Sequence, residues 1–324
     1  MILELGVKDR VTVTGAGGYI GSALVELLIA KSFKVTRVSR KPLAPILGVE
    51  DIVGDLNNTQ RWSQIVENSD TIFHLSGNTS IDFAKKHPSL SSESIVGPIH
   101  HLIEATKDKK SKPRIVFTST ATIYGIVTSL PVDEKFESNP TTLYDLHKLF
   151  AEKLLMYAHE KEYVDSVVLR FANVYGPSKS LNFATDRGIL NKIALKALSN
   201  EEICIYGEGS FIRDYIYIQD ILEALILSGT TPKIGGNIYN IGSGEGTSIL
   251  SAFTIVAREA QRFTSHLANV LHVDWPQNSE PIDSRNYIAD TSQFFHATGW
   301  MPKISLPLGI ELTVSDLNKK IELL

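Results

Sequence analysis

The chain has 324 residues, 43% hydrophobic and 21% charged, with a formal net charge of -4 and a pI near 6.2. That is long enough for a full core and two lobes, and the charge balance offers no broad basic surface, which excludes nucleic acid as a partner. The single cysteine, Cys204, cannot close an internal disulfide; no stretch approaches the roughly 18 apolar residues of a membrane span, and Met1-Ile2-Leu3-Glu4 is no signal peptide. The sequence therefore reads as a soluble, cytoplasmic, enzyme-sized protein with no membrane partner.

In chain order, short β-branched runs at Val11–Thr14, Lys34–Ser39, Asp51–Val53, Thr71–Leu75, Ile115–Ser119 and Ser166–Leu169 predict strands. Helical patterns near Gly18–Lys31, Gln60–Glu67, Ser89–Thr106 and Tyr144–Lys161 separate them. Parallel strands need a crossover, so this alternation predicts an α/β, Rossmann-type, doubly wound parallel sheet with helices on both faces. After Arg170 the alternation loosens. A helix over Gly188–Leu198, strands at Ile203–Tyr206, Tyr215–Ile218 and Ile238–Ile241, a helix over Ser248–Gln261 and a proline-rich Trp275–Pro281 follow. The expected division is a dinucleotide-binding domain over 1–170 and a smaller C-terminal substrate lobe over 171–324. The boundary is soft, because Gln219–Ser228 can form a helix that returns to the sheet.

Between the first strand and first helix lies Thr14-Gly15-Ala16-Gly17-Gly18-Tyr19-Ile20-Gly21. Glycines at 15, 18 and 21, with an extra Gly17, permit a tight turn, close approach of backbone to a pyrophosphate and close helix–strand packing. The helix N-terminus then offers free N–H groups to the phosphates. Strand, loop and helix agree, so Gly15, Gly17, Gly18, Tyr19, Ile20 and Gly21 are read as a dinucleotide site. At the end of the second strand, where an acid commonly bonds the ribose hydroxyls of NAD, stand Ser39-Arg40-Lys41. Two cations and a hydroxyl favour the 2′-phosphate of NADP, with NAD as the alternative. Asp55 and Leu56, after Gly54, are placed beside the adenine; Leu75, Ser76 and Gly77, after His74, are placed under the nicotinamide ribose.

A Tyr-x-x-x-Lys spacing occurs three times, at Tyr144/Lys148, Tyr157/Lys161 and Tyr175/Lys179. Gly176-Pro177 interrupts the third, and the second points away from the first on the same helix. Only the first is expected to share a site with a strand-end hydroxyl cluster, Thr118-Ser119-Thr120. A tyrosine is a poor base near neutrality, and a lysine one turn away lowers its pKa. Hence Tyr144 is read as acid/base, Lys148 as its electrostatic partner and ribose ligand, and Thr120 as holder of the substrate oxygen and its developing charge. His74, His87, His100 and His101 show no ligand spacing, so no metal is expected.

With TGAGGYIGS (14–22), GDL (54–56), FHLSG (73–77), FTSTATIYG (117–125), YDLHK (144–148), LRFANVYGP (169–177), RDYIYIQD (213–220) and GWMP (299–302), nearly the whole chain resembles the extended short-chain dehydrogenase/reductases. Within them it resembles the nucleotide-sugar epimerase/dehydratase/reductase group. The resemblance implies a nucleoside-diphosphate sugar as substrate, Thr120, Tyr144 and Lys148 as the triad, Asn173 on the substrate diphosphate, and Arg213 and Arg285 as its arginine grips. It also implies a homodimer through the helices at 89–106 and 144–161. Asn78, heading the 78–83 loop, and the 181–187 loop are expected to choose the sugar. Three departures bear on the reaction. Ser94-Ile95-Val96-Gly97 stands where the group has an Asn, the second-strand acid is missing, and Ala121-Thr122 replace the acids of dehydratases. Dehydration is therefore excluded. The basic second-strand end favours NADPH-dependent reduction of a 4-keto sugar over its alternative, 4-epimerisation. A non-catalytic NADP sensor is the remaining reading, and it would be expected to have lost the Tyr or the Lys.

Overall fold

The computed structural model describes residues 10–179, 188–277 and 279–323. The first half follows the expected alternation: β1 (Arg10–Thr14), α1 (Tyr19–Ala30), β2 (Lys34–Ser39), β3 (Glu50–Val53), α2 (Thr59–Glu67) and β4 (Thr71–His74). Next come α3 (Ile81–Lys86), α4 (Pro88–Ile95), α5 (Gly97–Thr106), β5 (Arg114–Thr120), α6 (Leu143–Glu160) and β6 (Asp165–Phe171). The helix expected over 89–106 is two helices, because Pro98 in the first turn of α5 has no N–H to continue α4.

β7 (Asn173–Tyr175), α7 (Ile189–Leu198), β8 (Ile203–Tyr206), β9 (Ile212–Tyr217) and α8 (Ile218–Thr230) open the second half. β10 (Asn237–Ile241), β11 (Gly246–Ser248), α9 (Ile249–Ala260), β12 (Val270–Val273), α10 (Ser292–Thr298) and α11 (Leu306–Glu322) complete it. β9 begins earlier than expected and gives way to α8 at Ile218, so the segment over 219–228 is helical. The predicted elements omit α11, whose pattern Pro307 and Gly309 interrupt. Gly309 is nonetheless required: a Cβ there would fall 2.1 Å from the Tyr175 hydroxyl.

Seven strands form one sheet in the order β10-β6-β5-β4-β1-β2-β3, in which β2/β3, β1/β2, β1/β4 and β4/β5 pair in parallel. The order reverses between β1 and β4, the switch point where a doubly wound sheet opens a crevice at its carboxyl ends. Trp62, Ile65, Ile99, Leu102, Ile115, Phe117 and Leu155 are all fully buried in one cluster that joins α2, α5 and α6 to the sheet. Each such side chain contributes about 1.5–3 kcal/mol by leaving water, so the strand ends that carry the site rest on a rigid base.

The chain divides into two compact units, and the division does not fall at one place. The first contains the described parts of Met1–Ile123, Ser138–Arg170 and Ala224–Tyr239; the second contains Tyr124–Glu137 and the described parts of Phe171–Glu223 and Asn240–Leu324. Residues 124–137 thus go with the later unit, and most of α8 goes with the sheet.

Candidate active site

The glycine loop is built as its residue types require. Gly15 sits at φ +69°, and a Cβ on it would come within 2.9 Å of the Leu75 carbonyl carbon and the Ser76 nitrogen. A Cβ on Gly21 would lie 2.2 Å from the Gly15 oxygen, so helix and turn close only without side chains there. Gly18 is the N-cap of α1; no side chain caps that end, and no acid stands in its first turn. These are the conditions under which a helix N-terminus accepts an anion. Tyr19 is buried and Ile20 is half-buried.

The floor of the loop comes from β4. Leu75 N–H donates to the Thr14 carbonyl and Ser76 N–H to Thr14 Oγ1, each at 3.3 Å. Thr14 Oγ1 also lies 2.8 Å from His74 Nδ1. His74 is fully buried against Trp62 and Phe117, and burial, then the Lys148 charge, depresses its pKa to about 3. It is a neutral core histidine. Gly77 takes φ +140°.

At the end of β2, Ser39 Oγ donates to the Lys41 carbonyl at 2.7 Å, and Arg40 and Lys41 are exposed. The carboxylate on the next strand, Asp51, is held by Arg37 through bonds of 2.7 and 2.6 Å. It therefore does not replace the missing ribose acid. Asp55 is exposed and accepts from Asn57 N–H at 3.0 Å, while Leu56 is buried and its carbonyl takes the Trp62 indole N–H at 2.8 Å. Asn78 Oδ1 accepts Ser80 N–H at 3.0 Å, and Ser80 in turn caps α3. The expected sugar-choosing segment over 181–187 lies outside the described residues.

Tyr144 and Lys148 lie one turn apart on α6, both buried. Lys148 Nζ donates to the Thr118 carbonyl at 2.8 Å and stands 4.6 Å over the Phe117 ring. Burial depresses its pKa to about 8, against the smaller upward pull of Glu152. Glu152 is paired with Arg170, Nη2 to Oε2 at 2.6 Å, both almost wholly buried. The other two spacings do not form such a site. Tyr157 is 56% exposed, with Lys161 over its own ring, and Tyr175 is buried in the second unit.

Three further residues, Thr122, Thr142 and Asp145, complete the β5–α6 junction, and residue type alone assigns none of them a role there. Thr120 Oγ1 lies 2.7 Å from Thr122 Oγ1 and accepts Thr122 N–H at 3.2 Å. Thr122 Oγ1 donates to Asp145 Oδ1, and Thr142 Oγ1 donates to Asp145 Oδ2 at 2.7 Å. Asp145 is fully buried. The available signal was the Thr142-x-x-Asp145 spacing, a helix-capping pattern, and Thr142 does cap α6 by accepting Asp145 N–H. Ser94, in place of the group's Asn, donates to the Ser91 carbonyl at 2.9 Å.

In the second unit the three expected diphosphate residues come together. Asn173 Nδ2 donates to the Asp214 carbonyl at 3.0 Å, and Arg285 Nη2 reaches Asn173 Oδ1 at 3.5 Å, the long limit of a hydrogen bond. Arg213 is buried and donates to the carbonyls of Ile212, Arg285 and Asp283. Burial first, then the neighbouring Arg285, lowers its pKa to about 10. Asp214 and Asp220 are not its partners. Asp214 accepts from Ser243, Gly244 and Ala289, and Asp220 from Lys303 N–H and Ile304 N–H. Two adjacent guanidinium groups held by carbonyls suit an anion. Among the described residues no group of three or more His, Cys, Asp or Glu could hold a metal ion, and no helix is long and apolar enough to cross a membrane.

The sequence model of the "NAD dependent epimerase/dehydratase family" matches residues 11–242. The chain is 26% identical over 324 residues to a UDP-glucose 4-epimerase of Mycolicibacterium smegmatis, covering 96% of this chain and 99% of the relative. It is 26% identical to a UDP-N-acetyl-alpha-D-glucosaminuronate decarboxylase of Bacillus cytotoxicus, covering 95% and 97%. Among solved structures, the UDP-glucose 4-epimerase of Thermotoga maritima with UDP-glucose superposes with a TM-score of 0.85 at 25% identity, covering 96% of this chain and 99% of that one.

Proposed function

The chain belongs to the NAD dependent epimerase/dehydratase family, within the extended short-chain dehydrogenase/reductases, and we propose that it is a nucleotide-sugar 4-epimerase. The observation that carries this reading is the tying together of the Thr120, Tyr144 and Lys148 positions. Lys148 is anchored on the strand that ends in Thr120, and the residue after Tyr144 reaches Thr120 through Thr122. The 4-epimerase among the relatives supports it, and it replaces the expectation of NADPH-dependent reduction, which those relatives do not favour.

The residues of the glycine loop fit a dinucleotide, since Gly15 and Gly21 leave no room for side chains and the uncapped start of α1 is open to a pyrophosphate. A dinucleotide held there by Gly15, Gly18 and Gly21 would supply the acceptor and donor of a hydride at C4 of the sugar. Tyr144 takes the C4 hydroxyl proton as the hydride leaves and gives it back afterwards. Lys148 holds the nearby positive charge that favours the phenolate. Thr120 contacts the reacting oxygen. Asn173, Arg213 and Arg285 grip the diphosphate, and Asn78 touches the sugar. With Ala121 and Thr122 after Thr120, no acid from that segment is available to expel water from the sugar.

The finer cofactor choice rests on Ser39, Arg40 and Lys41. With Asp51 held by Arg37, the β2 end presents only cations and a hydroxyl, which supports acceptance of the NADP 2′-phosphate beside NAD. Phe150 and Tyr157, seven residues apart on α6 and each at least half exposed, support a homodimer through that face. The test is incubation of the purified protein with UDP-glucose, UDP-N-acetylglucosamine and UDP-glucuronic acid, with the products resolved by NMR. The expected product is the C4 epimer with no net consumption of dinucleotide. Carbon dioxide release from UDP-glucuronic acid would instead establish the decarboxylase reading that the Bacillus relative offers.

A further inference from the structure

The hydrogen bonds at the β5–α6 junction have a direction. A carboxylate accepts and does not donate, and Asp145 receives the Thr122 hydroxyl on one oxygen and the Thr142 hydroxyl on the other. Thr122 has one hydroxyl hydrogen, and Asp145 takes it. The 2.7 Å bond between Thr122 and Thr120 can then be made only by the Thr120 hydrogen. One lone pair of Thr120 is used by Thr122 N–H at 3.2 Å. What remains on Thr120 Oγ1 is a lone pair. Asp145 is fully buried, which shields its carboxylate from water.

We propose that Asp145 is a positioning residue which, through Thr122, fixes Thr120 as a hydrogen-bond acceptor toward the sugar. This rests on the nucleotide-sugar reading above. A sugar alcohol has a hydroxyl hydrogen that Tyr144 or Thr120 can receive. The 4-keto sugar has none, and Thr120, with its hydrogen committed to Thr122, gives none. The keto oxygen therefore keeps a single donor from this pair, the Tyr144 phenol. That suits an epimerase, whose keto sugar must be released from one orientation to present its other face. No proton is gained or lost along the threonine chain; its only role is to set which way the hydroxyls point.

Two variants release the Thr120 hydrogen. Thr122→Val removes the acceptor, and in Asp145→Asn the amide can donate to Thr122 and reverse the chain. Each then lets Thr120 donate to the ketone, holding it more tightly. Loss or gain of one neutral hydrogen bond changes an equilibrium roughly three- to tenfold. With UDP-glucose, UDP-N-acetylglucosamine or UDP-glucuronic acid, both variants are expected to raise the steady-state fraction of reduced dinucleotide by that factor, read by its near-ultraviolet absorbance. The ketone so held should turn over more slowly, so turnover should not rise with the reduced fraction, and Thr122→Ser should return that fraction to its wild-type value. A purely structural role would move melting temperature and KM and leave the reduced fraction where it was. Neutron diffraction from crystals of the unmodified protein tests the direction itself and needs no substrate. The expected deuterons lie from Thr120 toward Thr122 and from Thr122 toward Asp145. A deuteron on Asp145, or the reverse order, overturns the proposal even if the protein epimerises UDP-sugars. Absence of any UDP-sugar turnover with the deuterons as expected would overturn the epimerase reading and leave the hydroxyl direction standing. Correct deuterons with an unchanged reduced fraction in both variants would overturn the role assigned to it.

Discussion

Lys148 is a lysine that the fold holds at a cost, and removing it is expected to stabilise the protein while abolishing its chemistry. The side chain is buried, and burial lowers its pKa from 10.5 to about 8. That displacement corresponds to roughly 3 kcal/mol of penalty on the folded state while the group is charged in both states. The sign follows from proton counting. Between pH 8 and 10.5 the unfolded chain binds the proton and the folded one does not, so stability rises with pH across that window; below pH 8 the penalty is constant. In Lys148→Met the penalty disappears, but the Thr118 carbonyl loses its 2.8 Å donor, a loss of about 1–3 kcal/mol. The net expectation at pH 7 is a gain of about 0–2 kcal/mol. On going to pH 9 the gap should shrink by roughly 1.4 kcal/mol, because one pH unit above the folded pKa relieves that much of the wild-type penalty. Urea unfolding of cofactor-free wild type and Lys148→Met at pH 7 and pH 9 measures both numbers, and turnover of the variant should be lost. A variant less stable than wild type at pH 7, or a gap independent of pH, would refute the reasoning.

Tyr144→Phe should lower turnover by about two to four orders of magnitude and leave nucleotide-sugar binding intact, whereas Tyr157→Phe, at an exposed position, should match wild type in the same assay. Gly15→Ala places a side chain at φ +69° and 2.9 Å from the Leu75 and Ser76 backbone; dinucleotide binding by calorimetry should fall by more than the loss of thermal stability accounts for. Arg213→Ala should weaken binding of UDP by about 1.5–3 kcal/mol more than binding of the dinucleotide, and equal losses for both would indicate misfolding. Arg40→Ala with Lys41→Ala should weaken NADP roughly 10- to 100-fold, a charge-assisted bond's worth, leave NAD unchanged, and show a smaller effect as salt rises.

What the sequence determined by itself is the local part of the structure. The β-branched runs of β1, β2, β5 and β6 and the glycines of the first turn are dictated by backbone sterics acting over a few residues, and so they are legible from residue type. The same holds for the Tyr144/Lys148 pair, since one helical turn fixes both on a single face. Tertiary structure decided what depends on residues far apart in the chain. That Tyr144/Lys148 and not Tyr157/Lys161 is buried follows from which face of α6 the sheet covers. That Asp51 is taken by Arg37 depends on the register of β2 and β3, which pairs Arg37 with Asp51. Asp145 follows Thr142 at a capping spacing, but its bond to Thr122 formed only when α6 packed beside the end of β5. The convergence of Asn173, Arg213 and Arg285, spread over more than a hundred positions, came from the hydrogen bonds that join β7, β9 and the segment before α10. A single sequence carries no record of such pairings, because contact energies act through space and their partners are chosen only when the chain closes on itself.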